Sequence, residues 1–179
     1  MQNYIEEQDF TKINFTKKPL KKGEYEYCTF LNCNFNAVNL TDFIFSDCEF
    51  IGCDLSLVKL NNTVLRNIQF TDCKMLGINF ETCSAFGLEI NFKNCTLNHA
   101  TFYKLNLKNT KFIDTKLHQV DFSQSNLTNT FFENCDLLNA SFNHTILEKA
   151  NLKTASNFII DPEQNNIKNA IFSVENCKG

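Results

Sequence analysis

Large apolar residues recur every five positions through most of this chain, a spacing that neither regular secondary structure can use. Five steps turn an α-helix through about 500°, which scatters the recurring residues around it. In a strand, five steps reverse the face. The chain therefore has to bend once per repeat. From Phe30 the beat runs Phe30, Phe35, Leu40, Phe45, Phe50, Leu55, Leu60, Leu65, Phe70, Met75 and Phe80. It resumes as Phe92, Leu97, Phe102, Leu107, Phe112, Leu117, Phe122, Leu127, Phe132, Leu137, Phe142, Leu147 and Leu152.

Two residues before each large one sits a smaller one: Cys28, Cys33, Val38, Cys48 and Cys53 early, then Ala100, Thr110, Thr115, Val120, Ser125, Thr130, Cys135, Ala140 and Ala150, with Phe43 and Leu105 as exceptions. In extended chain the large and the small residue share a face, and the next small one lies three steps on, so the two residues after each large one must form a corner. The second corner position is rich in Asn and Asp, among them Asn32, Asp42, Asp47, Asn62, Asn67, Asp72, Asn94, Asn109, Asp114 and Asn134. These side chains hydrogen-bond their own backbone and tolerate turns. Such a chain winds into a coil that stacks on itself, adjacent turns about 4.8 Å apart. The Phe residues of both series form the expected core.

Composition narrows the function. Nineteen Phe with no Trp is the bias of an internal repeat. A net charge of -3 offers no basic footprint for a phosphate backbone, so no direct nucleic-acid binding is expected. The start, MQNYIEEQDF, has neither a positive region nor an apolar run, and no stretch is long and apolar enough to span a membrane. The expectation is a soluble, cytoplasmic protein. Eight of the nine Cys fall at the small inward position, Cys177 being the exception, and no CxxC occurs. They read as free thiols acting as small apolar groups, with Cys33, Cys53 and Cys73 in one column. His99, His118 and His144 fall at corners, with no cysteine or carboxylate expected to join them in a ligand or triad cluster. No metal, cofactor or catalytic residue is expected.

The stretches "CTFLN", "CNFNA", "VDFSQ", "SNLTN", "CDLLN" and "ASFNH" resemble the pentapeptide-repeat family over residues 28 to 155. The resemblance implies an all-β, right-handed quadrilateral β-helix with four repeats per coil. The expected organisation is a degenerate N-terminal cap coil over 1-27, with Pro19 and Gly23 marking a loop, and a first repeat segment over 28-83. A two-residue phase shift with Gly87 follows over 84-91, then a second segment over 92-155 and a C-terminal cap over 156-179, where Asp161-Pro162 reads as a turn.

The phase shift is the one irregularity in mid-chain, because Phe80 and Phe92 are two repeats plus two residues apart. "CSAFGLEI" there is similar to the Ser-Ala-Leu-Gly-Ile-Glu-Ile stretch that divides the two solenoid segments of Qnr-type quinolone-resistance proteins. Ser84, Ala85, Gly87, Glu89 and Ile90 match directly; Phe86 and Leu88 are conservative variants. The resemblance implies a non-enzymatic protein that binds DNA gyrase or topoisomerase IV, with Gly87 at a hinge. The Qnr-type homodimer is built on an apolar C-terminal helix that this sequence does not show, and residues 92 to 152 carry no insertion. A DNA mimic needs carboxylates on its faces. Residues 28 to 90 hold seven against three bases, and Asp42, Asp47, Glu49, Asp54, Asp72 and Glu81 are the partner-facing candidates. Residues 91 to 155 hold five carboxylates against seven bases. The alternative reading is a general protein-interaction scaffold. A third, an enzyme, requires a ligand-filled cleft lined by His99 and His118.

Overall fold

The computed structural model describes residues 3–175. The chain coils around one apolar axis, and successive coils pair in parallel, twenty residues apart, through four walls. In the lower half, the fourth wall is a parallel sheet of β1 (Asn3–Glu6), β3 (Gly23–Glu26), β5 (Ile44–Ser46) and β7 (Val64–Arg66), in that order. The first wall is a seven-stranded parallel sheet running from β2 (Asp9–Thr11) through β4 (Thr29–Leu31), β6 (Glu49–Ile51), β8 (Ile68–Thr71) and β9 (Ile90–Lys93) to β10 (Lys111–Ile113) and β11 (Phe131–Glu133). The second and third walls pair through single bridges such as Asn34↔Asp54, Thr96↔Lys116 and Thr101↔Asp121. Among the described residues there is no α-helix; one 3-10 turn covers Phe80–Thr82. Among these residues no helix is long and apolar enough to cross a membrane.

The register puts like on like. Phe10↔Phe30, Phe30↔Phe50, Phe50↔Phe70, Phe70↔Phe92 and Phe92↔Phe112 pair across the first wall, and Phe112↔Phe132 follows. Their rings stack at 4.7 to 5.3 Å. Phe80, Phe102, Phe122 and Phe142 form a second column on the third wall, 4.7 to 5.4 Å apart, meeting the first column edge to face. Phe35 and Phe45 are likewise fully buried. Burying each ring contributes about 1.5–3 kcal/mol. An interior void near the middle holds about 10 Å³ and is lined only by apolar side chains, so it is dry.

Corners explain the polar residues. Asn32, Asp42, Asp47, Asn62, Asn67 and Asp72 all have φ between 49° and 60°, the left-handed region that Asn and Asp enter most readily. Their side chains then bond coil to coil: Asn62 Nδ2 donates to Asp42 Oδ1 (3.2 Å), Asn67 to Asp47 (2.6 Å), Asn94 to Asp72 (2.6 Å) and Asn134 to Asp114 (3.0 Å).

Two sorts of corner occur. In closed ones the backbone N–H three residues on returns to the central carbonyl, as from Val38 to Phe35 or Ala100 to Leu97. In open ones it does not, and the residue after the central one stays in a strand. Seven of the eight described thiols follow open corners and reach back to the coil below, whereas Cys83 follows the closed corner at Phe80. Cys33 Sγ donates to the Phe10 carbonyl (3.2 Å), Cys48 to Tyr25 (3.4 Å), Cys53 to Phe30 (3.1 Å), Cys73 to Phe50 (3.2 Å) and Cys135 to Phe112 (3.3 Å). All eight described cysteines are free and buried, and those that reach the coil below are donors as well as small fillers; Cys177 lies outside the described residues. Thr63, Thr130 and Thr145 make the same reach with hydroxyls.

The ends depart from expectation in one detail. Gly23 does not mark the loop; it opens β3 against Asn3, where an added Cβ would strike the Asn3 carbonyl oxygen. The irregular segment is 16–22, containing Pro19. At the far end, Asn166 pairs with Ile146 and Ile171 with Asn151 beyond a turn at Asp161, and Phe158 packs on Phe172.

Candidate functional site

The stack is interrupted in mid-chain on the fourth wall. The other three walls continue through this level: Phe70 pairs with Phe92, Lys74 with Thr96 and Asn79 with Thr101. Asn79 Oδ1 accepts from the Glu81 N–H (3.0 Å) and so starts the 3-10 turn that carries the chain into the longer coil. Ser84 N–H still reaches the Thr63 carbonyl (2.9 Å) and Glu89 N–H the Leu65 carbonyl (3.1 Å). Between these anchors the chain leaves the wall. Gly87 sits at φ 72°, which requires glycine for conformation rather than for room, its nearest neighbour being the Arg66 side chain. Phe86 is pushed outward and is 80% exposed, while Leu88 turns back against the core.

Above the bulge the fourth wall restarts at Leu107. No backbone rung joins 85–88 to 106–108 among the described residues; Asn91 Oδ1 instead accepts from the Lys111 N–H (2.9 Å). A surface cavity of about 250 Å³ fills the step, lined by Leu88, Glu89, Asn91 and Lys108 among others.

The six carboxylates singled out from the sequence do not come together. Asp42 lies on the corner after the third wall, Asp47 on the corner after the fourth, and Glu49 on the first wall. Asp54 is on the second wall, Asp72 on the corner between first and second, and Glu81 in the 3-10 turn. Most are occupied. Lys22 pairs with Asp42 at 2.7 Å and, with Asn62, holds its carboxyl below the usual range. Burial would raise Asp54, but hydrogen bonds from Ser56 and the charge of Lys74 leave it lowered.

An acidic edge does exist, earlier in the chain. The register places Glu6 beside Glu26 and Asp9 beside Thr29, with Glu49 one coil beyond Thr29, Glu24 beside Ile44 and Asp47 on the adjoining corner. Tyr4 donates to Glu26 (2.5 Å), and Tyr4 and Tyr27 stand exposed among these acids. Lys22, at the corner before β3, is paired with Asp42, and Arg66 is the first base within the strands of the fourth wall, at β7. A charge count starting at residue 28 omits Glu6, Glu24 and Glu26; the five-residue beat extended back to Ile5 is the signal that finds them.

The histidines need one correction. A carboxylate does join His118: Asp136 Oδ2 lies 2.6 Å from Nε2, because eighteen residues bring the next coil's second wall alongside that corner. Burial would raise Asp136, yet hydrogen bonds from Asn157 and His118 hold it lowered. Ser156, across the rung from Asp136, donates its hydroxyl to the Cys135 carbonyl at 3.4 Å. Among the described residues no group of three His, Cys, Asp or Glu side chains could hold a metal.

Against known proteins, the chain matches the pentapeptide repeat region model over residues 23–91 and 88–156. No curated protein matches it by sequence. Among solved structures it is similar to a trypsin-treated variant of QnrB1, a plasmid-mediated fluoroquinolone resistance protein, with TM-score 0.58, 15% identity, and coverage of 98% of this chain and 93% of that one. Full-length QnrB1 follows at TM-score 0.52 and 14% identity, covering 97% and 95%. At those identities the likeness is one of fold. Because that repeat-region model matches most of its length, the chain belongs to the pentapeptide-repeat family.

Proposed function

We propose that this chain is a non-enzymatic, cytoplasmic Qnr-like protein that binds DNA gyrase or topoisomerase IV and protects it from quinolones. The observation that carries the reading is the bulge: the stretch similar to the Qnr-type divider falls where the fourth wall is interrupted, and it turns Phe86 outward into solvent. An exposed aromatic is a side chain that interfaces use as an anchor. The acidic edge of Glu6, Asp9, Glu24, Glu26, Asp47 and Glu49 lies lower on the same side and supports partial mimicry of DNA toward a basic surface. The acidic edge sits on stacked, paired coils, so ordering it costs little on binding.

The test is a gyrase supercoiling assay with ciprofloxacin, titrating the protein. Protection at micromolar levels is expected from the native chain. It should weaken in Phe86→Asp and in the triple reversal Glu24→Lys, Glu26→Lys, Glu49→Lys, each with unchanged circular dichroism. Absence of both protection and inhibition sinks the reading, and capture of a different protein would favour the scaffold alternative.

A further inference from the structure

Inside the solenoid the rings stack coil on coil, and the first described coil borders a cavity. Phe30 is stacked on both sides, against Phe10 at 4.8 Å and Phe50 at 4.7 Å. Phe10 has Phe30 on one side and a cavity of about 310 Å³ on the other. Phe15 and Tyr25 supply further aromatic surface, and Ile5, Ile13 and Leu20 complete an apolar wall. That volume suits a small molecule rather than a protein segment.

Two residues of this first coil are unusual for the repeat position they hold. Gln8 and Lys18 stand two before Phe10 and Leu20, where the later repeats mostly hold small or apolar residues, and both are exposed. Both line the cavity with Lys21, and no carboxylate does. Neither the Gln8 amide nor the Lys18 or Lys21 ammonium has a side-chain hydrogen bond or ion pair among the described residues. Two cations and an amide at the rim of an aromatic floor complement an anion with a flat apolar body. A second copy docked mouth to mouth would instead set Lys17, Lys18 and Lys21 against themselves.

We propose that the N-terminal mouth binds a small planar aromatic carboxylate. Its ring continues the Phe10–Phe30 stack by one position, and its carboxylate is held by Lys18 and Lys21 with the Gln8 amide beside them. The proposal is independent of the topoisomerase reading.

The full chain, isotopically labelled, is titrated with 2-naphthoate and with neutral 2-naphthamide while amide shifts are followed. Shifts confined to residues 5–25 are expected, with the acid bound about tenfold more tightly than the amide, the worth of one charge-assisted hydrogen bond. Lys18→Gln with Lys21→Gln, exposed changes that leave the fold intact, should erase that preference and keep amide binding. The proposal fails if shifts are absent at millimolar ligand or centre elsewhere, or if the preference survives the double change. Concentration-dependent dimerisation through residues 5–25 also overturns it.

Discussion

The fourth wall is built in two ways, and the bulge at 85–88 separates them. Below it, β3, β5 and β7 are three- or four-residue strands with open corners at Tyr27, Asp47 and Asn67. Above it, the wall around Leu107, Leu127 and Leu147 pairs through single bridges and its corners close, Thr110 N–H returning to the Leu107 carbonyl, Thr130 to Leu127 and Ala150 to Leu147. The lower half therefore carries two adjacent strand walls, whereas the upper half has a single such wall. Six of the eight described cysteines lie in the lower half. The same five-residue repeat thus supports two corner geometries, and the chain changes between them on one wall while three run on. An open corner spends its backbone on the coil above, a closed one on itself, so the two halves should answer perturbation differently.

The largest expected effect tests what the halves share. Phe112→Ala in the upper column and Phe50→Ala in the lower one should each cost about 3–5 kcal/mol in urea unfolding, because a ring stacked above and below leaves a gap that rigid coils cannot close. A loss under about 1 kcal/mol at either site would mean that the column is not the main support.

Alkali should split the halves. Burial pushes the Cys48 thiol from its ordinary value of 9.0 up to about 12, and Tyr25 from 10.0 to about 12. Burial raises Cys28 and Cys33 as well. The neutral form is favoured by the fold, so the stability these groups contribute is complete below the unfolded values near 9 to 10 and is lost as pH rises toward about 12. Cys135, also at about 12, adds a smaller share above the bulge. Hydrogen exchange across that window should show amides of 23–66 losing protection before those of 105–150; simultaneous loss would show that the halves unfold as one unit.

Gly87 tests the bulge itself. Valine there has to take φ 72° with a branched side chain, which costs about 1–2 kcal/mol. Thermal melts of Gly87→Val that match the native chain would show that the crest relaxes into another conformation.

Much of this was legible in the residues. The beat specifies a coil because no straight element has its period, and the Asn and Asp corners follow from the left-handed backbone a four-cornered coil needs. The bulge was visible as two extra residues around Gly87. The corner type was not, since Asn67 and Asn109 are the same residue at the same repeat position, one open and one closed. That choice is made by what the neighbouring coil offers, a long-range matter that periodicity does not carry. The thiol reach from Cys53 to the Phe30 carbonyl was hidden likewise: spacing places a small inward residue but does not say that its sulfur finds an acceptor. His118 and Asp136 lie eighteen residues apart, off the twenty-residue column, so they escape a search by columns. For the acidic edge, the irregular 16–22 segment obscured the first coil, although Ile5 and Phe10 keep its register.

The smallest effects lie at single corners and single thiols. Cys53→Val keeps the volume and removes the donor to Phe30, at a cost of about 0.5–1.5 kcal/mol. Cys53→Thr should recover part of it, as Thr63 reaches the Leu40 carbonyl at 2.7 Å from the same inward position. Leu57 works in the opposite sense. It is an exposed aliphatic residue at φ 57°, where a branched side chain gains nothing from burial and bears the left-handed penalty. Gly77, one coil above, shows what the site tolerates, although a Cβ there would come within 3.0 Å of the Leu57 side chain. Replacing Leu57 by Asn should therefore raise stability by about 0.5–1 kcal/mol, and Leu57→Asn with Gly77→Asn should recover the coil-to-coil amide bond seen between Asn129 and Asn109. If urea midpoints fall in the single variant, the corner is held by its Leu side chain and not by its backbone, and the lower half is then stabilised by surface contacts that the upper half does without.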